Sequence, residues 1–394
     1  MIMVWTAVLA LSVLAYVLLD GMDLGVGILM GLTPEESWRR QMFSVVGPLW
    51  DGNEAWLIGA GAVLWGAFPI AFSTLMSAFR LPILLMLAGL VVRGVACGCR
   101  FRIESARSIC DVSFCCGSLV AAFMQGVMVG SLVEGLPLSH QGYVGGPFGW
   151  ISPFAAVCGI GLCFGYSLLG ASWMYYKSEG ELRDQARQFI ECVAGGLLAF
   201  FTFLFLYAVV GDYRVMNRWL DHPYLLAIPA AGPVASFLLS ATTRYRRDDL
   251  AFYTGMMIFA VGFATLVISF WPYMIPFSIT IDGGAAAPAR PAAMFWLGAF
   301  ALPLLTLYTV DNHVTFRGRI WRRRTTSSRE SGQDTEAGCL PVAVSIPALL
   351  IATRAAQHWT GRREQTSVRE SGVADIGASG APHEAGRPRA RSDC

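Results

Sequence analysis

Two acidic pairs are embedded in apolar sequence. Asp20 and Asp23 fall in YVLLDGMDLGVGIL, and Asp51 and Glu54 fall in GPLWDGNEAWLIGAGAVLW, where Trp50 and Trp56 flank them. Carboxylates are expensive in hydrocarbon, so membrane segments keep them chiefly where they face protein or water and serve an ion or proton path. Carboxylates gathered near one side of a bilayer point to proton handling in a membrane complex.

Each pair also has a plainer reading. Asp20 and Asp23, three apart, share a helix face with Tyr16 and Gly27. They form either a polar stripe for protons or a coupling ion, or hydrogen-bonding glue at an interface that Gly21, Gly25 and Gly27 allow to be close. Asp51 and Glu54 have the spacing of a capping box, with Asp51 as N-cap and Glu54 reaching back; a carboxylate at a protein-lined entrance can cap and exchange protons. Arg93 lies too far inside its apolar run to reach water easily, which calls for an intramembrane carboxylate such as Asp20 as partner. Glu134 reads as a solvated interfacial charge. The cysteines lack ligand spacing and read as small packing residues. His222 and His313 fall at helix ends, and no histidine pair marks a haem site.

The elements that must position these groups are membrane helices. The chain has 394 residues, 55% hydrophobic and only 14% charged, where a soluble domain is typically about a quarter charged. Apolar runs of about 20 residues predict nine spans near 2–31, 54–76, 81–99, 112–134, 150–176, 190–211, 222–241, 251–275 and 293–316. All are helical, since backbone groups in hydrocarbon must be satisfied within the segment. The start, MIMVWTAVLA, has no basic residue and leads to no small-residue cleavage site, so the first helix is expected to stay in the protein. The segment TPEESWRRQMFSVVGP reads as a short amphipathic helix at the interface.

Arginine placement orients the spans. Alternate loops and the start of the tail hold Arg39, Arg40, Arg100, Arg102, Arg107, Lys177, Arg183, Arg187, Arg244, Arg246, Arg247 and the run from Arg317 to Arg324. The other loops hold only Arg80, Arg214, Arg218 and Arg290. Positive residues stay inside, giving N-out and C-in, with Asp20, Asp23, Asp51, Glu54 and Asp111 towards the cytoplasmic side. Residues 1–320 form the transmembrane domain; 321–394 are a basic, Ser- and Gly-rich tail expected to be disordered, whose short apolar segment 339–353 is not a tenth span. A net charge of +2 gives no reason to expect nucleic acid as a partner.

DGMDLGVGIL, GPLWDGNEAWLIGAGAVL and the nine-span layout resemble subunit II of cytochrome bd-type quinol oxidases. KSEGELRDQAR, FWPYMIPFSITI and LPLLTLYTVDNHVTFRGRI are similar to the cyanide-insensitive branch. The resemblance covers about residues 4 to 320. It implies an all-α fold of two four-helix bundles plus one peripheral helix, in a bacterial inner membrane. It also implies a haem-bearing subunit I as partner, with small accessory subunits in some complexes, quinol and O2 as substrates, and protons drawn from inside. By match, Asp51 with Trp50 corresponds to the cytoplasmic proton entrance, Asp20 and Asp23 to the first-helix acidic pair with Glu54 beside them, and Arg93 to a third-helix arginine. The haems belong to the partner; some members also hold a structural quinone in subunit II, whose contacts the resemblance does not assign.

Three departures stand out. GVACGCR carries Gly98 and Cys99 where members often have an acidic residue, Asp282 aligns only loosely, and the tail beyond Arg319 has no counterpart. A different class of function, a proton- or sodium-coupled transporter using Asp20 and Asp23, is disfavoured because no Pro-broken counterpart of the first helix occurs in the second half.

Overall fold

A computed structural model describes residues 1–315 except 101, 104–105, 140–141, 212 and 286–288. These belong to one compact unit, Met1–Cys339. The second unit, Leu340–Cys394, the expected boundary at 320/321 and the segment 339–353 lie outside the described residues. The first helix, α1 (Ile2–Gly31), has 30 residues and no internal proline. At 1.5 Å per residue that is about 45 Å, more than the roughly 30 Å of a bilayer core. Then come α2 (Glu36–Val46), α3 (Trp50–Ala67), α4 (Pro69–Ala78), α5 (Arg80–Arg100) and α6 (Arg107–Glu134). The short hairpin β1 (Leu138–Ser139) and β2 (Gly142–Tyr143) leads to α7 (Pro153–Lys177), α8 (Glu181–Gly211) and α9 (Tyr213–Asp221). A 3-10 turn (Pro223–Leu226) precedes α10 (Ala227–Arg244) and α11 (Asp248–Phe270). A second hairpin, β3 (Tyr273–Ile275) with β4 (Ile279–Thr280), then α12 (Ile281–Gly284) and α13 (Ala289–Thr315), complete the described chain.

Among the described residues, seven helices are long and apolar enough to cross a membrane, and eight if α3 and α4 count as one broken span. The ninth expected span, 293–316, falls on α13, a 27-residue helix whose side chains are only partly described.

The second span departs from its expected form. Residues 54–76 do not make one helix: α3 and α4 meet at a 120° bend. Pro69 has no N–H to donate to a continuing helix and disfavours helical geometry in the residue before it. Phe68 accordingly sits at φ −131°, ψ 59°, and Pro69 becomes the first residue of α4, where a missing N–H costs nothing. The eighth span also ends early, at Phe270 rather than 275, because Pro272 follows and the chain turns into β3.

The helices pack in two groups. α1, α3, α5 and α6 form one; α7, α8, α10 and α11 form the other, and α13 lies along α3. α1 and α6 join the groups, each packing on α7 as well as on its own neighbours. Glycine makes that joint possible: a Cβ on Gly25 would overlap the Tyr166 carbonyl, and one on Gly170 the α1 backbone. The short helix expected within residues 33–48 is α2, Glu36–Val46, and it buries Met42, Phe43, Val45 and Val46 against protein.

Candidate functional site

α1 turns Tyr16, Asp20, Asp23 and Gly27 to its buried side, as the 3.6-residue period requires. Asp20 and Asp23 have no solvent exposure. Across from them, Arg93 on α5 is also fully buried. Its Nη2 donates to Asp20 Oδ1 at 2.6 Å and to a Glu54 carboxylate oxygen from α3. Sealed from water, the guanidinium depends on these carboxylates to compensate its charge. Asp23 takes a different partner: Asn53 Nδ2 donates to its Oδ2 at 2.7 Å and to the Leu19 carbonyl at 3.3 Å. Two carboxylates, Asp20 and Glu54, therefore share one guanidinium, and the buried Asp23 lies beside them with an amide partner.

Asp51 stands apart from this group. It is exposed, in the first turn of α3, one turn before Glu54. No capping box forms. The N-cap is Leu49, without a side-chain cap, because the chain already turns at Val46 to Leu49 and Asn53 N–H reaches the Leu49 carbonyl. Glu54 faces Arg93 instead; a charge-assisted bond to a buried guanidinium outcompetes a neutral backbone N–H. An acidic residue in the first turn still complements the helix dipole. Trp50 is half-buried over Gly94, beside Arg93, and a Cβ at Gly94 would come within 3.0 Å of the indole. Trp56 Nε1 donates to Thr309 Oγ1 at 3.1 Å, tying α3 to α13.

Behind Asp20 lies a second set of polar groups. Gln125 on α6 donates from Nε2 to the Tyr16 hydroxyl at 2.8 Å, and its Oε1 accepts from the Tyr166 hydroxyl at 2.8 Å. Asn53, Gln125 and Tyr166 join the site without a prior expectation from sequence. Asn53 carried a usable signal, since it lies inside the WDGNEAW motif; Gln125 and Tyr166 sit in runs with no other polar signal.

A separate ionic cluster closes the end of the bundle that carries α2. Arg39 binds Glu36 at 3.0 Å and Asp111 at 2.9 Å; Arg100 binds Asp111 and, at 3.2 Å, Glu36. Arg100 also lies 4.5 Å from the centroid of the Phe43 ring. Partial burial works against the Glu36 anion, yet the bond from Arg39 and the charges of Arg100, Arg39 and Arg107 hold its carboxyl below the usual carboxylate range. Glu134 is exposed and accepts from Ser152 Oγ, and His313 Nδ1 meets the Thr309 carbonyl at 2.9 Å. Asp282 lies in α12, exposed and remote from the Arg93 cluster in the chain.

The sequence pattern of one family, described as cytochrome bd terminal oxidase subunit II, matches residues 1–316. The chain belongs to that family. Among curated relatives of subunit II, the cytochrome bd-I ubiquinol oxidase subunit 2 of Escherichia coli is 27% identical over 357 residues, covering 80% of this chain and 94% of that one. The cytochrome bd ubiquinol oxidase subunit 2 of Bacillus subtilis is 24% identical over 331 residues, with 80% and 96% covered. The bd oxidase structure from Geobacillus thermodenitrificans superposes with a TM-score of 0.67 at 18% identity, covering 80% of this chain and 98% of that one; this supports the fold.

In this subunit II an apolar cavity of about 360 Å³ lies between α8, α10 and α11, lined by Phe201, Phe205, Pro233, Ile258 and Thr265 among others. Its hydroxyls Thr202, Thr265 and Ser269 each donate to a carbonyl of their own helix. Ser236 also lines the cavity; the lining suits an apolar tail, and no quinone contact is assigned to it.

Proposed function

We propose that this subunit II carries protons from the cytoplasmic face towards the site of oxygen reduction in a quinol oxidase. It pairs with a haem-bearing subunit I in a bacterial inner membrane, and the chain alone is not catalytic. The haems of that partner supply electron transfer from quinol and the chemistry of O2. The arginine distribution supports N-out, C-in with nine spans, which puts Asp51 at the cytoplasmic mouth.

The observation that carries the reading is a file of carboxylates that goes from exposed to sealed within a few helical turns. Asp51 is exposed, the Glu54 side chain is 20% exposed, and Asp20 and Asp23 are fully buried. Arg93 makes the inner members tolerable, and one guanidinium among three carboxylates leaves room for a proton to reside in the group. Among the described residues, Arg93 Nε and Nη1, Asp20 Oδ2 and Asp23 Oδ1 are buried without a side-chain or backbone bond. Such atoms are the ones a transient water chain uses to pass a proton. Trp50 shields the entrance on the Arg93 side.

The test is Asp51→Asn and Asp20→Asn in the intact complex, read by haem content, quinol-driven oxygen consumption and proton uptake in proteoliposomes. Normal haem content with turnover reduced by roughly 10²-fold, the lower range for loss of a proton-transfer group, is expected for Asp20→Asn, with a smaller loss for the exposed Asp51→Asn. Full turnover in both variants would overturn the reading, and loss of haem would make the residues structural.

A further inference from the structure

The residues of WDGNEAW face different helices. Glu54 turns to Arg93 on α5 and Asn53 to Asp23 on α1, while Trp50 covers Gly94 of α5. The remaining side of the turn faces α13. A Cβ on Gly52 would come within 2.9 Å of Tyr308 Cε1 and 3.0 Å of Asn312 Nδ2. One turn further into α3, Trp56 Nε1 donates to Thr309 Oγ1 at 3.1 Å, and a Cβ on Gly59 would lie 3.8 Å from Leu305 Cδ2. Positions that rise along α13 meet positions that fall along α3. The two helices therefore run antiparallel, and the end of α13 lies against the first turn of α3.

Gly52 directly follows Asp51, the exposed carboxylate at the mouth. With consecutive Cα atoms about 3.8 Å apart, the Asn312 amide nitrogen lies within about 8 Å of the Asp51 Cα. One water can bridge amide and carboxylate over that span. Asn312 is half-buried, and its amide makes no hydrogen bond among the described residues. A side-chain amide offers two donors and an acceptor oxygen, so it can order water without adding a charge. Its neighbours on α13 are already engaged. Thr309 takes the Trp56 indole on its hydroxyl and meets His313 Nδ1 with its carbonyl. His313 itself turns to Trp173 on α7, with the Lys177 ammonium 4.7 Å from that ring. The charged and titratable groups around this end of α13, among the described residues, are Asp51 and Glu54 on α3, Arg93 on α5, Lys177 on α7, and Tyr308, Asp311 and His313 on α13 itself.

We propose that the end of α13 is the second wall of the proton entrance and that Asn312 is a positioning residue in it, ordering the water from which Asp51 draws its proton. The inference rests on the proton-path reading, because the wall matters only if Asp51 takes up protons. Trp50 against Gly94 bounds the entrance on the α5 side, and Tyr308 with Asn312 against Gly52 bounds it on the other. Glycine at 52 lets the amide sit against the backbone of the turn that carries Asp51. An uncharged donor and acceptor suits this place: a cation there would repel the protons being gathered, and a further carboxylate would hold them.

The test reads the pH profile of quinol-driven oxygen consumption in the purified complex carrying Asn312→Asp, Asn312→Lys, Asn312→Gln or Asn312→Leu, with haem content checked in each. A unit charge roughly 6–8 Å away in water displaces a titration by about half a pH unit. Asn312→Asp is expected to displace the profile by that much to higher pH and Asn312→Lys to lower pH, both displacements shrinking in high salt. Asn312→Gln, which keeps the amide, retains the parent turnover, and Asn312→Leu lowers it several-fold at unchanged haem content. In an Asp51→Asn background neither charge displaces the profile. If Asn312→Lys does not assemble, Asn312→Asp decides by the direction of its displacement and its loss in salt. A structural disturbance does not follow the sign of the charge, so displacement of both variants to one side, or of neither, overturns the inference. Parental turnover in Asn312→Leu, or a displacement that persists without Asp51, overturns it as well. Each of those results leaves the proton path standing if Asp51→Asn alone slows turnover; an Asp51→Asn complex at the full parental rate removes the entrance itself.

Discussion

Arg93 and Asp20 meet at 2.6 Å with neither side chain exposed to solvent. They come from α5 and α1, 73 residues apart in the chain, and the contact ties those two helices together. Removing one member of a buried pair leaves an uncompensated charge, a loss of about 3–5 kcal/mol, whereas apolar replacement of both is often close to neutral. Arg93→Met is therefore expected to lower the melting temperature and the yield of assembled complex sharply. Arg93→Met combined with Asp20→Leu should recover part of the yield without recovering turnover. Thermal unfolding of the purified complex, beside oxygen consumption, separates the two effects; an undisturbed Arg93→Met complex would show that the pair contributes no stability.

Asn53 is expected to be nearly as sensitive, although it has no charge. Its amide is the partner of Asp23 Oδ2 and of the Leu19 carbonyl, so Asn53→Leu leaves a buried acceptor on a carboxylate without its donor. The expected destabilisation is about 1–3 kcal/mol. Asn53→Leu with Asp23→Leu should be milder than Asn53→Leu alone, since no orphaned carboxylate acceptor remains. Denaturation of the two variants in the same detergent checks the order.

Much of this arrangement is legible in the sequence, for reasons that can be named. Hydrocarbon forces helices, so apolar runs locate α1, α5, α6, α7 and α8 to within a few residues, apart from the start of α8, whose polar first turns extend beyond the apolar core. Arg93 reveals its need for a partner because a charge that far from either end of its helix has no way to water. The 120° bend is hidden because the run through Phe68 and Pro69 stays apolar, and hydropathy does not register a missing N–H. The absent capping box is equally hidden: whether Glu54 turns to its own backbone or to α5 depends on Arg93, 39 residues away. Gln125 is invisible for a related reason, since a single amide in an apolar helix declares its partners only after α1 and α7 are packed against it.

The Glu36 carboxyl gives a pH prediction outside the membrane. Its bonds to Arg39 and Arg100 keep it below the usual carboxylate range despite partial burial. A group whose folded pKa is depressed contributes stability that is fully present above its unfolded pKa and lost as pH falls through the folded value. The stability difference between the parent and Glu36→Gln should accordingly be constant at neutral pH and shrink on acidification below the usual carboxylate range. The side chain is 42% exposed, so the difference is small and falls as salt is added. Melting temperatures of both proteins across pH, at low and high salt, check the sign. A difference that grows as pH falls is incompatible with the pairing.

Two glycines with the same helical environment in sequence should respond in opposite ways. A Cβ at Gly25 would overlap the Tyr166 carbonyl and approach Gly170 N to 2.9 Å, both in the backbone of α7. No rotamer change relieves a clash with backbone, so Gly25→Ala must separate α1 from α7 at the joint between the bundles. Overpacking of this kind costs about 1–3 kcal/mol and occasionally more. It also disturbs Tyr166, and with it the partner of Gln125. At Gly61 on α3, a Cβ would have nothing within 4 Å among the described residues, and alanine there gains helix propensity of up to about 1 kcal/mol. Gly61→Ala should match or slightly exceed the parent in stability, provided that face of α3 is not covered by another subunit in the complex. Comparing the two variants first in the isolated chain and then in the complex reads both points: Gly25→Ala fails in each, while a Gly61→Ala that is tolerated alone but blocks assembly locates a subunit contact on α3.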